Sequence, residues 1–421
     1  MNLWILAGVR TPFLRAGTRF EPLGAADLGR LAISALLART GIDPGAIDEV
    51  ILGCVGQPAD AANVARVAAL RAGIPANVPA ATVQRNCASG LESITSAYER
   101  MAAGKGELFL VGGMESMSRY PLLYNDSAAK HFGLLAKARS PFQKLAALTK
   151  FRAKDFSPQI GLKLGLTDPY TGMIMGETAE LLAREYGINR AEQDVFAADS
   201  HRKALAATEA RAREVAPAHV GGEAVLNDNG PREDSTPEKL TKLKPIFEPK
   251  WGGVTAGNSS QISDGAVALL VGSEAAAARL GLTPLGRLTH YAYSGCDPAR
   301  MGIGPVLASA KAMRDGAPSP AEADVVELNE AFAAQVLAVL KAFRDPAAAR
   351  LAGLDHPLGE IAPEKLNRRG GSIALGHPVG ATGSRLVLTA LDQLHETGGK
   401  RALVTLCVGG GQGAALWFER P

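Results

Sequence analysis

Short, unbroken apolar runs alternate with longer stretches whose apolar positions recur every three or four residues, at both ends of this 421-residue chain. Leu3-Trp4-Ile5-Leu6-Ala7-Gly8, Glu49-Val50-Ile51-Leu52-Gly53-Cys54-Val55 and Glu107-Leu108-Phe109-Leu110-Val111-Gly112-Gly113 read as buried strands. Between them Ala25–Arg39, Val64–Ala72 and Ser89–Ala103 carry helical spacing. The pattern returns near the far end, where Ala323-Asp324-Val325-Val326-Glu327-Leu328 and Arg401-Ala402-Leu403-Val404-Thr405-Leu406 read as strands. Strand and helix in alternation predict a sheet with helices packed on it. The two ends also echo each other. Leu110-Val111-Gly112-Gly113 closes a strand as Cys407-Val408-Gly409-Gly410 does, each after a helix that stops at a glycine, Gly104 or Gly398. Two similar α/β domains fit that echo.

The middle, from roughly Arg119 to Lys250, breaks the alternation and is rich in Lys, Arg and Pro. It predicts one long capped helix near Asn189–Arg213. From Pro121 to Gly165 eight Lys and Arg stand against two Asp. This stretch reads as an insertion over the core, and Gly265–Val271 then returns to the first domain. The expected division is residues 1–118 with 251–275, an inserted loop domain at 119–250, and 276–421.

Composition narrows the class. A hydrophobic fraction of 47% with 21% charged residues is that of an ordinary globular chain, and its length suits two or three cores. A formal net charge of +3 is too even to imply nucleic-acid binding. No apolar run reaches the length of a membrane span, and the opening run lacks the basic head and cleavage site of a signal peptide. The four cysteines (Cys54, Cys87, Cys296, Cys407) are far apart in sequence, with no C-x-x-C pair. That spacing argues against a disulfide framework or a zinc site, and free thiols fit a reducing cytoplasm.

Four places carry candidate chemistry. Cys87, in Gln84-Arg85-Asn86-Cys87-Ala88-Ser89-Gly90, falls where a polar turn gives way to a helical pattern. A helix N-terminus there would favour the thiolate and lower the thiol pKa. The competing reading is a small buried hydrophobe. His377 lies in a glycine-dense run, Gly370 to Arg385, with Pro378 fixing the chain behind it and a helix expected from Ser384. That run fits neither a P-loop nor a dinucleotide fingerprint. Cys407 ends a buried strand before Gly409-Gly410-Gly411, where glycines let backbone N–H groups face a ligand oxygen. Asn329, straight after a strand, either caps the next helix or offers its amide to a water or substrate oxygen. Each of the four sits at the end of a regular element, where open α/β sheets line their ligand crevice.

Taken together, these residues resemble the thiolases, the acetyl-CoA acetyltransferases and 3-ketoacyl-CoA thiolases. The resemblance runs the length of the chain. It includes Ala7-Gly8-Val9-Arg10-Thr11-Pro12-Phe13, the block around Cys87, Gly112-Gly113-Met114-Glu115-Ser116-Met117-Ser118 and Thr255-Ala256-Gly257-Asn258-Ser259-Ser260. It continues through Asn329-Glu330-Ala331-Phe332, Gly376-His377-Pro378 and Cys407-Val408-Gly409-Gly410-Gly411. The resemblance implies a layered α-β-α-β-α fold of two similar α/β domains with a loop domain over the site, usually in homodimers or homotetramers. It implies Cys87 as nucleophile, His377 as its base and Cys407 as a second acid/base. Asn329, through a water, and Gly409, through its N–H, would stabilise oxyanions. Ser260, Ala256 and Met175 would lie along coenzyme A, a substrate; no permanently bound cofactor or metal is implied.

Two departures bear on the subclass. Short-chain biosynthetic members commonly show His-Met-Gly where this chain has Ile174-Met175-Gly176, and the stretch Arg344–Leu366, with Leu358-Gly359-Glu360-Ile361, is similar to the fatty-acid-oxidation branch. Substrates longer than acetoacetyl-CoA are therefore expected. Some members of that branch work with a hydratase/dehydrogenase subunit, which makes the basic stretch 121–165 a candidate partner-facing or peripheral membrane surface. The competing readings are a solvated helix face or attraction of the coenzyme A phosphates. A decarboxylating ketoacyl synthase would lack Cys407, and a silent relative would have lost Cys87, His377 or Cys407.

Overall fold

The computed structural model describes residues 2–421. The first part of the chain runs β1 (Leu3–Arg10), α1 (Ala25–Thr40), β2 (Glu49–Gly53), α2 (Val64–Arg71), β3 (Ala80–Val83), α3 (Ser89–Ala102) and β4 (Leu108–Ser116). It then leaves the sheet for a mainly helical excursion whose longer elements are α4 (Asp126–Lys137), α5 (Pro141–Leu148), α6 (Met175–Glu185) and α7 (Arg190–Ala206). The chain re-enters as β5 (Ser263–Gly272) and continues with β6 (Gly286–Gly295), α8 (Gly304–Arg314), β7 (Val325–Leu328), α9 (Ala333–Arg344), α10 (Val379–Thr397), β8 (Arg401–Val408) and β9 (Gln412–Glu419).

The strand order is β7-β8-β9-β6-β1-β5-β4-β2-β3, and the short strand Leu14–Arg15 pairs with β5 to complete a 10-stranded sheet. The order is nearly a palindrome about the β6/β1 contact. β2 lies parallel to β4 as β7 does to β8, and β4–β5 and β5–β1 are antiparallel as are β8–β9 and β9–β6. One side-chain clamp is repeated. Asp48 accepts the N–H groups of Glu107 and Leu108 at 2.7 and 2.9 Å, and Asp324 accepts those of Lys400 and Arg401 at 2.7 and 3.0 Å. The echo between the two ends is therefore real, but its register differs from the one the glycines suggest. The clamp aligns Leu108 with Arg401 and so Met114 with Cys407; Gly112 and Gly113 lie inside β4, whereas Gly409 and Gly410 lie beyond β8. The counterpart of β3 is reduced to a single parallel bridge between Val326 and Leu366.

Three apolar layers result. α1 and α2 bury Leu28, Ile33, Val64 and Ala68 against one face of the first half-sheet. α8 and α9 bury Val306, Ala310, Val336 and Val339 against the second. Between the halves lies a cluster shared by α3 and α10, including Leu91, Ile94, Leu386, Val387 and Leu391. α10 is buried through most of its length, as a helix packed on several sides must be. The stretch Arg344–Leu366 contributes Leu358, Ile361 and Leu366 to the second outer layer.

The excursion is more helical than its sequence suggests. The expected helix at Asn189–Arg213 is two: α7, with a capping box from Asn189 and Glu192, and a short turn at Thr208–Ala212. A buried ion-pair network ties it down. Arg10 of β1 pairs with Asp228 at 2.7 Å and with Glu214 at 3.4 Å, and Arg369 reaches Glu214 at 3.1 Å. Removing one partner would strand a charge in the interior, a loss of about 3–5 kcal/mol for such pairs.

Candidate active site

Helices α3 and α10 meet at their first turns, and the meeting depends on glycine. A Cβ on Gly90 would lie 2.7 Å from the Ser384 nitrogen, one on Gly383 would lie 2.8 Å from the Leu91 nitrogen, and one on Gly113 would lie 1.9 Å from the Gly380 carbonyl oxygen. The Ser384 hydroxyl donates to the Gly90 carbonyl at 2.9 Å. These contacts explain why α10 starts at Val379 and not at Ser384, as its glycines suggested. Gly380 and Gly383 are helical residues whose missing side chains admit β4 and α3. Their close approach brings the segment before α3, with Cys87, against the segment before α10, with His377.

Cys87 is partly buried, two residues before α3. Asn86, in the left-handed region at φ 43°, turns the chain into it and donates its side-chain amide to the Gly409 carbonyl at 2.7 Å. This draws the β8–β9 turn over the thiol, so that the N–H groups of Gly409 and of Cys87 itself both point at the sulfur. Burial pushes the thiol up from its ordinary value, and these two N–H groups pull it partly back. The expected lowering by the helix terminus is thus overridden by desolvation. A thiol in that state needs a base to become a nucleophile.

His377 supplies a bare nitrogen. Its Nδ1 lies 2.6 Å from the Thr382 hydroxyl, which spends its proton on the Pro378 carbonyl at 2.9 Å. Thr382 can only accept from the ring, so the proton sits on Nδ1 and Nε2 carries the lone pair. Nε2 is buried without a partner among the described residues. Burial, reinforced by the Arg385 cation, lowers the imidazole to about 3, which keeps it neutral. Pro378 is the N-cap residue of α10 and holds the ring at the helix start.

Cys407 is the penultimate residue of β8 and is fully buried; desolvation first, then the neighbouring Cys87 and Cys296 thiols, push it well above its ordinary value. Asn329 does not cap a helix. The next one starts at Ala333 with Phe332 as its N-cap residue, and the Asn329 Oδ1 instead accepts the Ser372 hydroxyl at 2.6 Å. The Asn329 Nδ2 is buried and has no partner among the described residues.

Two cavities adjoin this centre. The first, about 420 Å³, is lined by Cys87, His377, Cys407 and Gly409 together with Met117, Tyr120, Leu166, Met175, Ser260, Met301 and Phe332. The second, about 390 Å³, shares Met117, Leu166, Met175, Ser260, Phe332 and His377, and adds Ile174, Phe247 and Ala256. Of the predicted residues, Ala256 lines the second cavity but not the first, and Asn329 lines neither. Beyond the second, a third cavity of about 310 Å³ shares Arg15, Ala256 and Gln261 with it and is lined also by Arg232 and Lys239. No residue of Arg344–Leu366 lines any of the three.

Sequence reasoning missed Glu115 and Tyr120. Glu115 is a fully buried carboxylate that accepts the N–H groups of Val55, Gly56 and Gly380 at 3.1, 2.8 and 2.8 Å, and the Tyr120 hydroxyl at 3.1 Å. It joins the loop after β2 to the first turn of α10 and pins the Tyr120 ring in the wall of the first cavity. The only trace of this in the sequence was a charged residue inside an apolar strand, which marks a carboxylate with buried partners.

Comparison with known proteins gives the family. The family models "Thiolase, N-terminal domain" and "Thiolase, C-terminal domain" match residues 3–275 and 282–420. The chain is 40% identical over 420 residues to a 3-ketoacyl-CoA thiolase of Pectobacterium atrosepticum, covering 98% of this chain and 95% of that one. It is 41% identical over 421 residues to a probable acetyl-CoA acyltransferase of Staphylococcus aureus, covering 98% and 97%. Human mitochondrial 3-ketoacyl-CoA thiolase, solved in complex with CoA, superposes with a TM-score of 0.85 at 35% identity, over 100% of this chain and 98% of that one. The Bacillus anthracis acetyl-CoA acetyltransferase superposes at 0.86 and 36%, over 100% and 99%. Covered from end to end by both family models and by these relatives, the chain belongs to the thiolase family.

Proposed function

We propose that the chain is an acyl-CoA:acetyl-CoA C-acyltransferase that cleaves 3-ketoacyl-CoA with coenzyme A, or runs the reverse condensation, through an acyl thioester on Cys87. The observation that carries this reading is two thiols and an unpartnered imidazole nitrogen on the wall of one cavity. The His377 Nε2 takes the Cys87 proton, and the thiolate attacks the 3-keto carbon. The C2–C3 bond breaks, its electron pair passes to the acetyl-CoA enolate, and the Cys407 thiol protonates C2. Coenzyme A then gives its thiol proton to the Cys407 thiolate and attacks the acyl group; Cys87 leaves and recovers its proton from His377.

The donors suit the charges that form. Once protonated, Nε2–H faces the thioester oxygen on one side, with a water on the Asn329 Nδ2 as its partner. The N–H groups of Cys87 and Gly409, which point at the thiol in the free protein, hold the acyl oxygen after attack. The second cavity, with Ser260, Ala256 and Met175, accommodates the pantetheine arm, and Arg15, Arg232 and Lys239 of the third face its phosphates. We assign the chain to the degradative branch, on the strength of relatives named 3-ketoacyl-CoA thiolase and of Ile174, and to a homo-oligomer, as the family resemblance implies. Incubation with acyl-CoA, digestion and mass spectrometry tests the reading. The acyl mass is expected on the peptide holding Cys87, and label on Cys407 alone would refute the assignment.

A further inference from the structure

We propose that Ser372 is a positioning residue, whose hydroxyl, itself held by the Arg385 guanidinium, fixes which end of the Asn329 amide faces the reacting carbonyl. The inference rests on Asn329 acting as an oxyanion donor, as proposed above. Arg385 and Glu327 form an ion pair at 3.0 Å with neither side chain exposed, and Gln393 donates to the other Glu327 oxygen at 2.8 Å. The cation is therefore anchored on Glu327, with its Nη2 at 3.4 Å from the Ser372 oxygen. A guanidinium has no lone pair to accept with. The Ser372 hydroxyl consequently accepts from Arg385 and spends its one proton on the Asn329 Oδ1, at 2.6 Å.

That proton decides the orientation of the amide. A flipped Asn329 would aim a donor at an oxygen already accepting and leave the hydroxyl proton without an acceptor in a dry interior. The backbone around Asn329 is held by other means. Its N–H donates to the Thr405 carbonyl at 3.0 Å, and Asn367 brackets Leu328 with hydrogen bonds to its N–H and carbonyl at 2.9 and 2.8 Å. Losing the Ser372 hydroxyl would thus free the amide to rotate while its Cα stays in place. The unpartnered Nδ2 is the group whose direction the relay sets.

A double-mutant cycle tests this, with kcat and KM for thiolysis measured on the full chain. Asn329→Ala is expected to lower kcat about 100-fold. Ser372→Ala is expected to lower kcat about 10-fold or more with KM within about twofold, and to have no further effect in the Asn329→Ala background. Ser372→Thr, which keeps the hydroxyl, should return kcat to near that of the unmodified protein. If the alanine variant does not fold, Ser372→Cys, a weak donor of similar shape, carries the same cycle. Additive losses, or unchanged kcat in Ser372→Ala, would overturn the relay while leaving Asn329 as the donor. Unchanged kcat in Asn329→Ala would instead remove the donor itself, and the relay with it.

Discussion

Asn86 reaches across the molecule to the carbonyl of Gly409, 2.7 Å away and 323 residues later in the chain. One hydrogen bond thereby sets the distance between the turn that carries Cys87 and the turn that follows Cys407. The bond is made by a residue in the left-handed region, which asparagine tolerates and which the Ser89 N–H and hydroxyl hold by donating to the Asn86 carbonyl at 3.0 and 2.7 Å.

The two thiols are not interchangeable, and their variants should differ in kind. Cys407→Ala should still take an acyl group onto Cys87 from acyl-CoA yet turn over very slowly, because it lacks the acid and base for C2 and for coenzyme A. Cys87→Ala should lose both acylation and turnover. Equal, mild defects in the two would show that neither thiol is catalytic.

The Thr382 hydroxyl holds the His377 tautomer, so Thr382→Val, of the same shape, is expected to lower kcat about 10-fold or more while sparing KM. In the unmodified protein, imidazole nitrogen NMR should show Nδ1 protonated and Nε2 bare from pH 5 to 8. Stability should follow the same logic. His377 and His201 are lowered by burial to about 3 and about 4, against an ordinary value of 6.5. The unfolded chain therefore binds these protons first, and their contribution is complete above about pH 6.5 and declines as the pH falls toward 3. A melting temperature independent of pH between 7 and 4 would contradict the neutral, buried imidazoles.

Gly90→Ala forces a methyl group to within 2.7 Å of the Ser384 backbone nitrogen. Overpacking of this kind costs about 1–3 kcal/mol, readable in a denaturation midpoint. Because the crossing also sets the Cys87–His377 approach, acylation by acyl-CoA should slow even in the folded fraction. A variant that unfolds more easily but acylates at the normal rate would separate packing from geometry.

Ile174 lines the second cavity, not the one holding the two thiols, which limits how it acts on chain length. Activity on substrates longer than acetoacetyl-CoA is still expected, with the acyl chain in the largely apolar first cavity and Ile174 beside the pantetheine arm. Thiolysis rates across C4 to C16 3-ketoacyl-CoA decide it; cleavage of the C4 substrate alone would reject the degradative assignment.

Helices α4 and α5 expose Phe132, Leu134, Leu145, Leu148 and Phe142, the last at 81%, among Lys130, Lys137 and Lys144. None of these lysines lines any of the three cavities around the site. Replacing Lys137, Lys144 and Lys150 with Glu should therefore weaken co-sedimentation with anionic vesicles or a partner subunit and leave KM for coenzyme A nearly unchanged. A large rise in KM would assign the cations to the coenzyme instead.

The hydrophobic pattern placed β1, β2, β4, β5, β7 and β8 with α1, α2 and α3, because these strands are unbroken apolar runs in a covered sheet and these helices repeat their apolar positions every third or fourth residue; β3, β6, β9, α8 and α9 were not read from it. It was not enough where tertiary contact overrides local preference. Gly380 and Gly383 look like loop residues and are helical, because only a bare Cα lets α3 and α10 touch. Asn329, readable as a cap or as an amide for a ligand oxygen, caps no helix and is a partner of Ser372, a pairing across 43 positions that no local pattern records. The thiol of Cys87 looked activated by a helix terminus, yet desolvation, which depends on what the rest of the chain brings over it, outweighs that field. Cys87, His377 and Cys407, which line one cavity, stood out as candidates because a reactive side chain at an element end beside glycine is uncommon. Glu115 was not, because three of its four donors, the N–H groups of Val55, Gly56 and Gly380, come from distant segments.

The central apolar layer has a consequence for partly unfolded states. It draws on both halves, and Glu115 spans the same seam by accepting N–H groups from Val55 and Gly56 on one side and Gly380 on the other. Neither half can release the seam without exposing its share of that layer. The Gly380 amide should accordingly exchange with solvent deuterium only through the global opening reaction, while amides of α4 and α5 exchange through local ones. A molecule that has lost this seam has also lost the meeting of Cys87 with His377, so no partly folded species keeps that thiol and that imidazole together.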